Sequence, residues 1–217
     1  MPSECPMVHV IDDDDAARQS LAFLLRTVQL EVQTYESAIA FLETASRIGS
    51  GCIVTDVRMP GMSGIDLLRR LKELKISLPV IVITGHGDVP LAVEAMRIGA
   101  VDFIEKPFDD EVLLAAVRSA LRQTEAEGKL QAERAEIERR LATLSGRESD
   151  VLRGLVSGHA NKRIAFDLGI SPRTVEIYRA NLMTKMCAAS LSDLVRMALV
   201  AGVLGAAGSV PDSPKGP

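Results

Sequence analysis

The chain has 217 residues, 47% of them hydrophobic and 25% charged, with a formal net charge of −4. That balance builds one large core or two modest ones and excludes disorder throughout. The longest apolar run, 197–208, is 12 residues and glycine-rich, well short of the roughly 20 needed to span a bilayer. No basic leader with a cleavable apolar stretch opens the sequence, so a cytosolic protein is expected, with no membrane partner.

Charge is unevenly spread. Residues 1–121 carry 11 Lys and Arg against 18 Asp and Glu, residues 122–143 carry 5 against 5, and residues 144–217 carry 9 against 6. Only the last third suits a polyanion such as DNA. Cys5, Cys52 and Cys187 are odd in number, far apart and in no zinc-ligand spacing, so they are read as incidental thiols.

Residues 8–121 alternate short apolar runs with helical patterns, as in a parallel sheet covered on both faces. Strands are predicted at 8–11, 32–35, 52–55, 79–84 and 101–104, and helices at 15–28, 37–44, 64–72, 89–98 and 109–121. Five βα units of this length point to an α/β flavodoxin-like (βα)5 fold with strand order 2-1-3-4-5, whose functional crevice lies at the carboxyl ends of the strands. Residues 122–143 are rich in Gln, Glu, Ala and Arg, with Leu130, Ile137 and Leu144 at seven-residue spacing and Gly128 as an interruption. They predict a helical linker, either a solvated spacer or a short coiled-coil seam between protomers.

From Ser145 onward the pattern turns all-helical, and the domain is expected over 144–207. Ser145 and Glu148 form a candidate capping box. Helices are predicted at 146–157, 161–168, 172–186 and 191–203, the third introduced by Ser171 as N-cap and Pro172 at its first position. The tail 208–217, rich in Gly, Ser and Pro, is expected to be disordered.

Four strand ends deliver a coherent chemical set. The first runs into Asp12 and Asp13, the third ends at Asp56, the fourth at Thr84, and Lys106 follows the fifth. Adjacent parallel strands lie about 4.8 Å apart, so these carboxylates converge. They repel one another unless a cation sits among them, and an all-oxygen cluster with room for water suits Mg²⁺. An anionic phosphoryl group entering such a cluster needs that ion and a lysine to balance charge. Thr84 offers its hydroxyl to a phosphoryl oxygen. The plainer alternatives are a solvated Asp-Asp turn, with Asp14 and Asp15 opening a helix, and a core role for Phe103. His86, two residues beyond Thr84, is the kind of lone histidine that is most often incidental.

The stretches Val-Ile-Asp-Asp-Asp (10–14), Thr-Asp-Val-Arg-Met-Pro-Gly-Met-Ser-Gly (55–64), Ile-Thr-Gly-His-Gly-Asp (83–88) and Asp-Phe-Ile-Glu-Lys-Pro-Phe (102–108) resemble, in order, the signatures of two-component response-regulator receivers. The resemblance covers about residues 7–121. It implies Asp56 as phosphoacceptor, Asp13 as direct Mg²⁺ ligand, Asp12 acting mainly through water, and the backbone carbonyl of Arg58 completing the metal shell. It also implies Thr84 and Lys106 as phosphate ligands, Phe103 as an aromatic that turns inward when the threonine moves, and a cis Lys106–Pro107 bond.

On the helix beginning at Pro172, Val175, Tyr178, Leu182 and Met186 form a core stripe. The opposite side presents Arg173, Ile177, Ala180, Asn181 and Thr184, with Thr174 and Glu176 beside them. An exposed isoleucine among polar groups suits a major groove, and Lys162, Arg163, Arg179 and Lys185 suit phosphate contacts. On composition alone this is equally a solvated surface helix. Motif order separates the two. Leu-Ser-Gly-Arg-Glu (144–148), Gly-His-Ala-Asn-Lys-Arg-Ile-Ala (158–165), Leu-Gly-Ile-Ser-Pro-Arg-Thr-Val-Glu (168–176) and Ser-Leu-Ser-Asp-Leu-Val (190–195) resemble the four-helix LuxR-type helix-turn-helix module, which reads DNA with its third helix and dimerises through its fourth.

The whole chain is thus similar to response regulators of the NarL/FixJ class. The resemblance implies a transcription activator switched on by phosphorylation, not an enzyme, with a sensor histidine kinase, promoter DNA, RNA polymerase and a second copy of itself as partners. Its nitrogen-fixation branch implies a FixL-like kinase and microaerobic or nitrogen-fixation promoters. Two competing classes are a magnesium-dependent phosphohydrolase fused to a DNA-binding module and a phosphate-independent DNA-binding scaffold. Against the first, position 58 is arginine, where such an enzyme carries a second aspartate.

Overall fold

Runs of β-branched residues alternating with amphipathic stretches form five strands and five helices in the first part of the chain. They are β1 (Met7–Ile11), α1 (Asp15–Thr27), β2 (Glu31–Tyr35), α2 (Ala38–Ala45), β3 (Gly51–Asp56), α3 (Gly64–Glu73), β4 (Val80–Thr84), α4 (Val89–Ile98), β5 (Asp102–Glu105) and α5 (Asp110–Leu141). The structure is a computed structural model that describes residues 7–45, 48–85 and 89–203. Cys5, His86 and the tail 208–217 lie outside the described residues.

All strand pairs are parallel and the sheet order is β2-β1-β3-β4-β5, as expected from the sequence. Side chains alternate across the sheet because the strand period is two. Val8, Val10, Val54, Ile81 and Ile83 pack with Leu25, Leu113 and Val117 on one face. Ile11, Ile53, Val80 and Val82 pack with Phe41, Leu67 and Leu71 on the other. β4 is buried along its whole length, which is why Val-Ile-Val-Ile-Thr shows no polar alternation. Burial of Leu113 and Val117, about 2 kcal/mol each, fixes the first part of α5 to the sheet.

The chain divides into two compact units after Gly128. The boundary falls inside the segment expected as a linker, because α5 is one continuous helix of 32 residues. Its last turns, residues 129–141, belong to the second unit. Ile137 is buried there, and Leu141 and Leu144 pack against the same core, whereas Leu130 is exposed. Two of the three residues with seven-residue spacing therefore serve an internal core, and no coiled-coil stripe is left.

The second unit continues with α6 (Gly146–Val156), α7 (Asn161–Leu168), α8 (Pro172–Met186) and α9 (Leu191–Val200). Both hydrogen bonds of the capping box form at Ser145 and Glu148, and Ser171 caps α8 with Pro172 in its first turn. Gly154 lets α6 approach α7, since a Cβ there would lie 2.7 Å from Ile164 Cγ1. Among the described residues no helix is long and apolar enough to cross a membrane.

Candidate functional site

Parallel register brings the acidic residues together. Ile11 pairs with Thr55, so Asp12 follows β1 directly beside Asp56 at the end of β3. On the other side Asp56 pairs with Ile83, and Thr84 ends β4. The Lys106 N–H donates to the Thr84 carbonyl at 2.7 Å, so the same ladder that ends the sheet positions the lysine. Gly64 closes the site from below: a Cβ there would meet the Asp56 carbonyl oxygen at 2.3 Å. Only glycine lets α3 start this close to Asp56.

Lys106 Nζ donates to Asp56 Oδ1 at 2.8 Å and to Asp12 Oδ2 at 3.3 Å. Asp56 Oδ2 accepts from the Arg58 N–H at 2.7 Å, and Asp12 Oδ1 accepts from the Asp14 N–H at 2.9 Å. Asp12 is only 3% exposed. Burial pushes its carboxyl above the usual range, and the charge of Asp56 adds to this, while the Asp14 N–H and Lys106 oppose it. Burial alone would lower Lys106, but the hydrogen bond and charge of Asp56, then of Asp12, overcome burial and raise it. One ammonium thus serves two carboxylates, leaving the three groups with an unbalanced negative charge.

The hydroxyl of Thr84 is 1% exposed and finds no hydrogen-bond partner among the described residues. A buried hydroxyl without a partner is costly, and here it sits at the end of the strand next to Asp56. Phe103 is partly buried against the core on the α2 and α3 side of the sheet. The Lys106–Pro107 bond is cis.

Of the three carboxylates expected at the acidic site, two meet through one lysine and the third stands beside them. Among the described residues no group of three or more His, Cys, Asp or Glu is arranged to hold a metal. Asp12 and Asp56 meet through Lys106, whereas Asp13 is exposed and lines a neighbouring cavity of about 620 Å³ with Arg58, Met59, Leu91 and Glu94. The donors shown here are carboxylate oxygens, which fit a hard cation such as Mg²⁺. Asp14 caps α1 by accepting from the Ala17 N–H at 2.8 Å, so it opens a helix, as does Asp15. Arg18 escaped the sequence reading. Its Nη1 donates to the Asp12 carbonyl at 2.7 Å and pins the acidic loop. Helical periodicity places Arg18 on α1 but not beneath that carbonyl.

In the second unit Val175, Leu182 and Met186 are fully buried and Tyr178 packs beside them, as predicted. Arg173, Glu176, Ile177, Ala180, Asn181 and Thr184 are exposed, Ile177 at 54%. Arg173 pairs with Glu176 at 3.0 Å. Thr174 is turned to capping: its N–H donates to Ser171 Oγ at 3.1 Å and the two hydroxyls lie 2.9 Å apart. Lys185, expected to touch phosphate, is committed elsewhere, donating to Glu148 Oε2 at 2.7 Å and to the Thr143 carbonyl at 3.3 Å. Arg179 is half-buried and Lys162 exposed. Arg163 pairs with Asp167 at 3.0 Å and lies over the ring of Phe166, an 80% exposed residue the sequence reading passed over.

Comparison with known proteins identifies both units. Residues 8–118 match the response regulator receiver domain, and residues 142–198 match the bacterial regulatory proteins of the luxR family. The chain is 59% identical over 211 residues to the transcriptional regulatory protein FixJ of Azorhizobium caulinodans, covering 97% of this chain and 100% of that protein. Among solved structures it is similar to full-length FixJ from B. japonicum, with 52% identity, a TM-score of 0.58 and coverage of 93% and 99% of the two chains. It is also similar to the response regulator StyR, with 40% identity, a TM-score of 0.81 and coverage of 89% and 98%. With a receiver whose strand ends gather Asp12, Asp56, Thr84 and Lys106, and a helix-turn-helix unit that follows it in sequence, the chain belongs to the two-component response regulators of the NarL/FixJ class, phosphorylation-activated regulators of transcription with LuxR-type DNA-binding domains.

Proposed function

We propose that Asp56 is the phosphoacceptor and that its modification switches promoter binding by α8. The observation that carries this reading is Lys106 held between Asp12 and Asp56 beside the buried Thr84 hydroxyl, which has no partner among the described residues. A carboxylate oxygen of Asp56 attacks the phosphorus of a phosphohistidine on a sensor kinase. The new O–P bond forms as the P–N bond breaks, and the electron pair returns to the imidazole. Asp12, Asp13, Asp56 and the Arg58 carbonyl hold Mg²⁺ when it is bound, and the ion supplies the positive charge that lets an anionic phosphoryl group approach carboxylates. Lys106 then keeps one phosphoryl oxygen neutralised. The Thr84 hydroxyl gains a phosphoryl acceptor, and Phe103 follows it inward.

The altered surface around α4 and β5 pairs two copies, so two recognition helices meet two half-sites and gain avidity. Ile177, Arg173, Glu176 and Asn181 face base edges. Lys162, Arg163 and Arg179 face phosphates. Thr174 and Lys185 drop out of the set of direct contacts because their polar groups are already used within the unit. The protein works in the cytoplasm, takes its phosphoryl group from a FixL-like kinase, and assists RNA polymerase at microaerobic or nitrogen-fixation promoters. It turns over no substrate beyond its own aspartyl phosphate.

The test is intact mass after incubation with acetyl phosphate and Mg²⁺. The wild type should gain one phosphoryl group, about 80 Da, and Asp56→Asn should gain none. A gain of equal size in the variant would remove Asp56 from its role.

A further inference from the structure

Recognition helix α8 is tied down at its C-terminal end by polar groups from outside the helix-turn-helix pair. Lys185 Nζ donates to Glu148 Oε2 at 2.7 Å, on α6, and to the Thr143 carbonyl at 3.3 Å. Arg140 Nη1, from the last turn of α5, donates to the carbonyl of Met186 at 2.9 Å. Glu148 is 4% exposed, and its carboxylate also accepts the Ser145 N–H at 2.7 Å in the capping box. The Lys185 ammonium and then the Ser145 N–H hold the Glu148 carboxyl at about 2. Arg140 is itself aimed by Glu136, which accepts from its Nε at 2.8 Å. Arg140 thus meets a carbonyl at the C-terminal end of α8, where the helix dipole is negative, and Lys185 ties the last turn of α8 to Glu148 and Thr143.

The consequence is geometric. A helix of 15 residues is about 22 Å long, so a tilt of about 5° about its middle moves either end by about 1 Å. That displacement is enough to break a direct base contact, whose useful range spans about 0.5 Å. Val175, Leu182 and Met186 set the depth of the helix in the core, but apolar contacts are non-directional and allow sliding and tilt. The directional bonds at residues 185 and 186 remove that freedom.

We propose that Arg140, Glu148 and Lys185 form a latch that sets the pose of α8, making them positioning residues for sequence reading rather than contacts to DNA. This rests on the reading of α8 as the recognition helix. It also means that α5, through Arg140 and Ile137, is a working part of the DNA-binding unit, although both residues lie ahead of the segment that matches the luxR family.

The test uses the phosphorylated full chain, an operator duplex selected by it from a randomised pool, and a scrambled duplex of the same length. Glu148→Gln keeps an oxygen for the Ser145 N–H but removes the charge facing Lys185, and Lys185→Met keeps the apolar stem. The latch predicts that each lowers operator affinity about tenfold, that the double variant is no worse than either single one, and that scrambled-duplex affinity and its salt slope stay unchanged. Arg140→Met should lose operator affinity and Arg140→Lys recover most of it. If Lys185 is instead a phosphate contact, Glu148→Gln frees it and raises affinity for both duplexes, while Lys185→Met lowers both and reduces the salt slope by about 1. That pattern overturns the proposal, as does unchanged operator affinity in all the variants. Ile177→Ala serves as the reference. Should it leave operator binding intact, the reading of α8 itself fails; should it weaken binding while the latch variants do not, only the latch fails. Circular dichroism and a melt on each variant keep loss of fold apart from loss of pose, and Lys185→Met, which leaves the capping box whole, carries the test if Glu148→Gln unfolds.

Discussion

Two lysines do opposite jobs in the two units. Lys106 in the receiver stands between two carboxylates, Asp12 and Asp56, and cannot neutralise both. Lys185 in the DNA-binding unit faces one buried carboxylate, Glu148, and balances it. The acids respond in opposite directions: Asp12 is pushed up by burial, and Glu148 is pulled down to about 2 by Lys185. An unbalanced cluster invites a further cation and changes state when a phosphoryl group arrives. A balanced pair has nothing to gain from a ligand and instead fixes the helix it holds. On the proposed function the same residue types make a switch in one place and a fastener in the other, and the ratio of anions to cations distinguishes them.

The largest effect that could break this comparison is at Lys106. Lys106→Met should abolish the phosphorylation-dependent rise in operator affinity while leaving the unphosphorylated protein's affinity in place, as read by titration with and without acetyl phosphate. A variant that still responds fully would mean that the excess of negative charge is not what the switch uses.

Acid should unfold the units in different windows. Burial lowers His9, packed between Tyr35 and Phe41, to about 4. The unfolded chain takes up that proton first, so this group's contribution to the receiver's stability is complete above about 6.5 and is lost as pH drops toward 4. Asp12 runs the other way, since its raised value favours the folded state as it protonates. Glu148 contributes stability above its unfolded value that is lost only as pH falls from about 4.5 toward 2. Urea melts at stepped pH, with a receiver probe and a DNA-unit probe, should separate the two windows, and His9→Leu should flatten the first. Coincident windows in the wild type would contradict the assignment.

Glycine substitutions sharpen the contrast in rigidity. Gly64→Ala drives a Cβ into the Asp56 carbonyl, a backbone atom, and should cost about 3 kcal/mol, whereas Gly154→Ala meets only the Ile164 side chain and should cost about 1 kcal/mol. Chemical denaturation of the two variants measures both. The smallest effect is expected at Thr84. Because its buried hydroxyl has no partner among the described residues, Thr84→Val should raise stability, by no more than about 1 kcal/mol, yet remove the response to phosphorylation.

The receiver was legible in the sequence because its chemistry follows from topology. Once five βα units are recognised, strand order places Asp12 beside Asp56 and the next strands bring Thr84 and Lys106. What escaped notice was set by side-chain reach. Nothing in the spacing of Lys185 says that it meets Glu148, 37 positions earlier, rather than phosphate. Ile137 carries a seven-residue spacing that fits a coiled coil and a core equally well, and only the packing of α5 against α6 to α9 decides between them. The same holds for Asp13, whose neighbour in sequence is buried at the site while it faces the adjoining cavity. The core face of α8 was readable because helical periodicity fixes which residues share a side.

The central claim is that phosphorylation of Asp56 is what couples the acidic site to DNA reading. It is tested most directly by measuring affinity of the full chain for a selected operator duplex before and after acetyl phosphate and Mg²⁺, with the degree of modification read by mass on the same samples. The account predicts a rise in affinity proportional to the phosphorylated fraction in the wild type and no change in Asp56→Asn. Full modification of the wild type with unaltered affinity, or an equal rise in the variant, would contradict it.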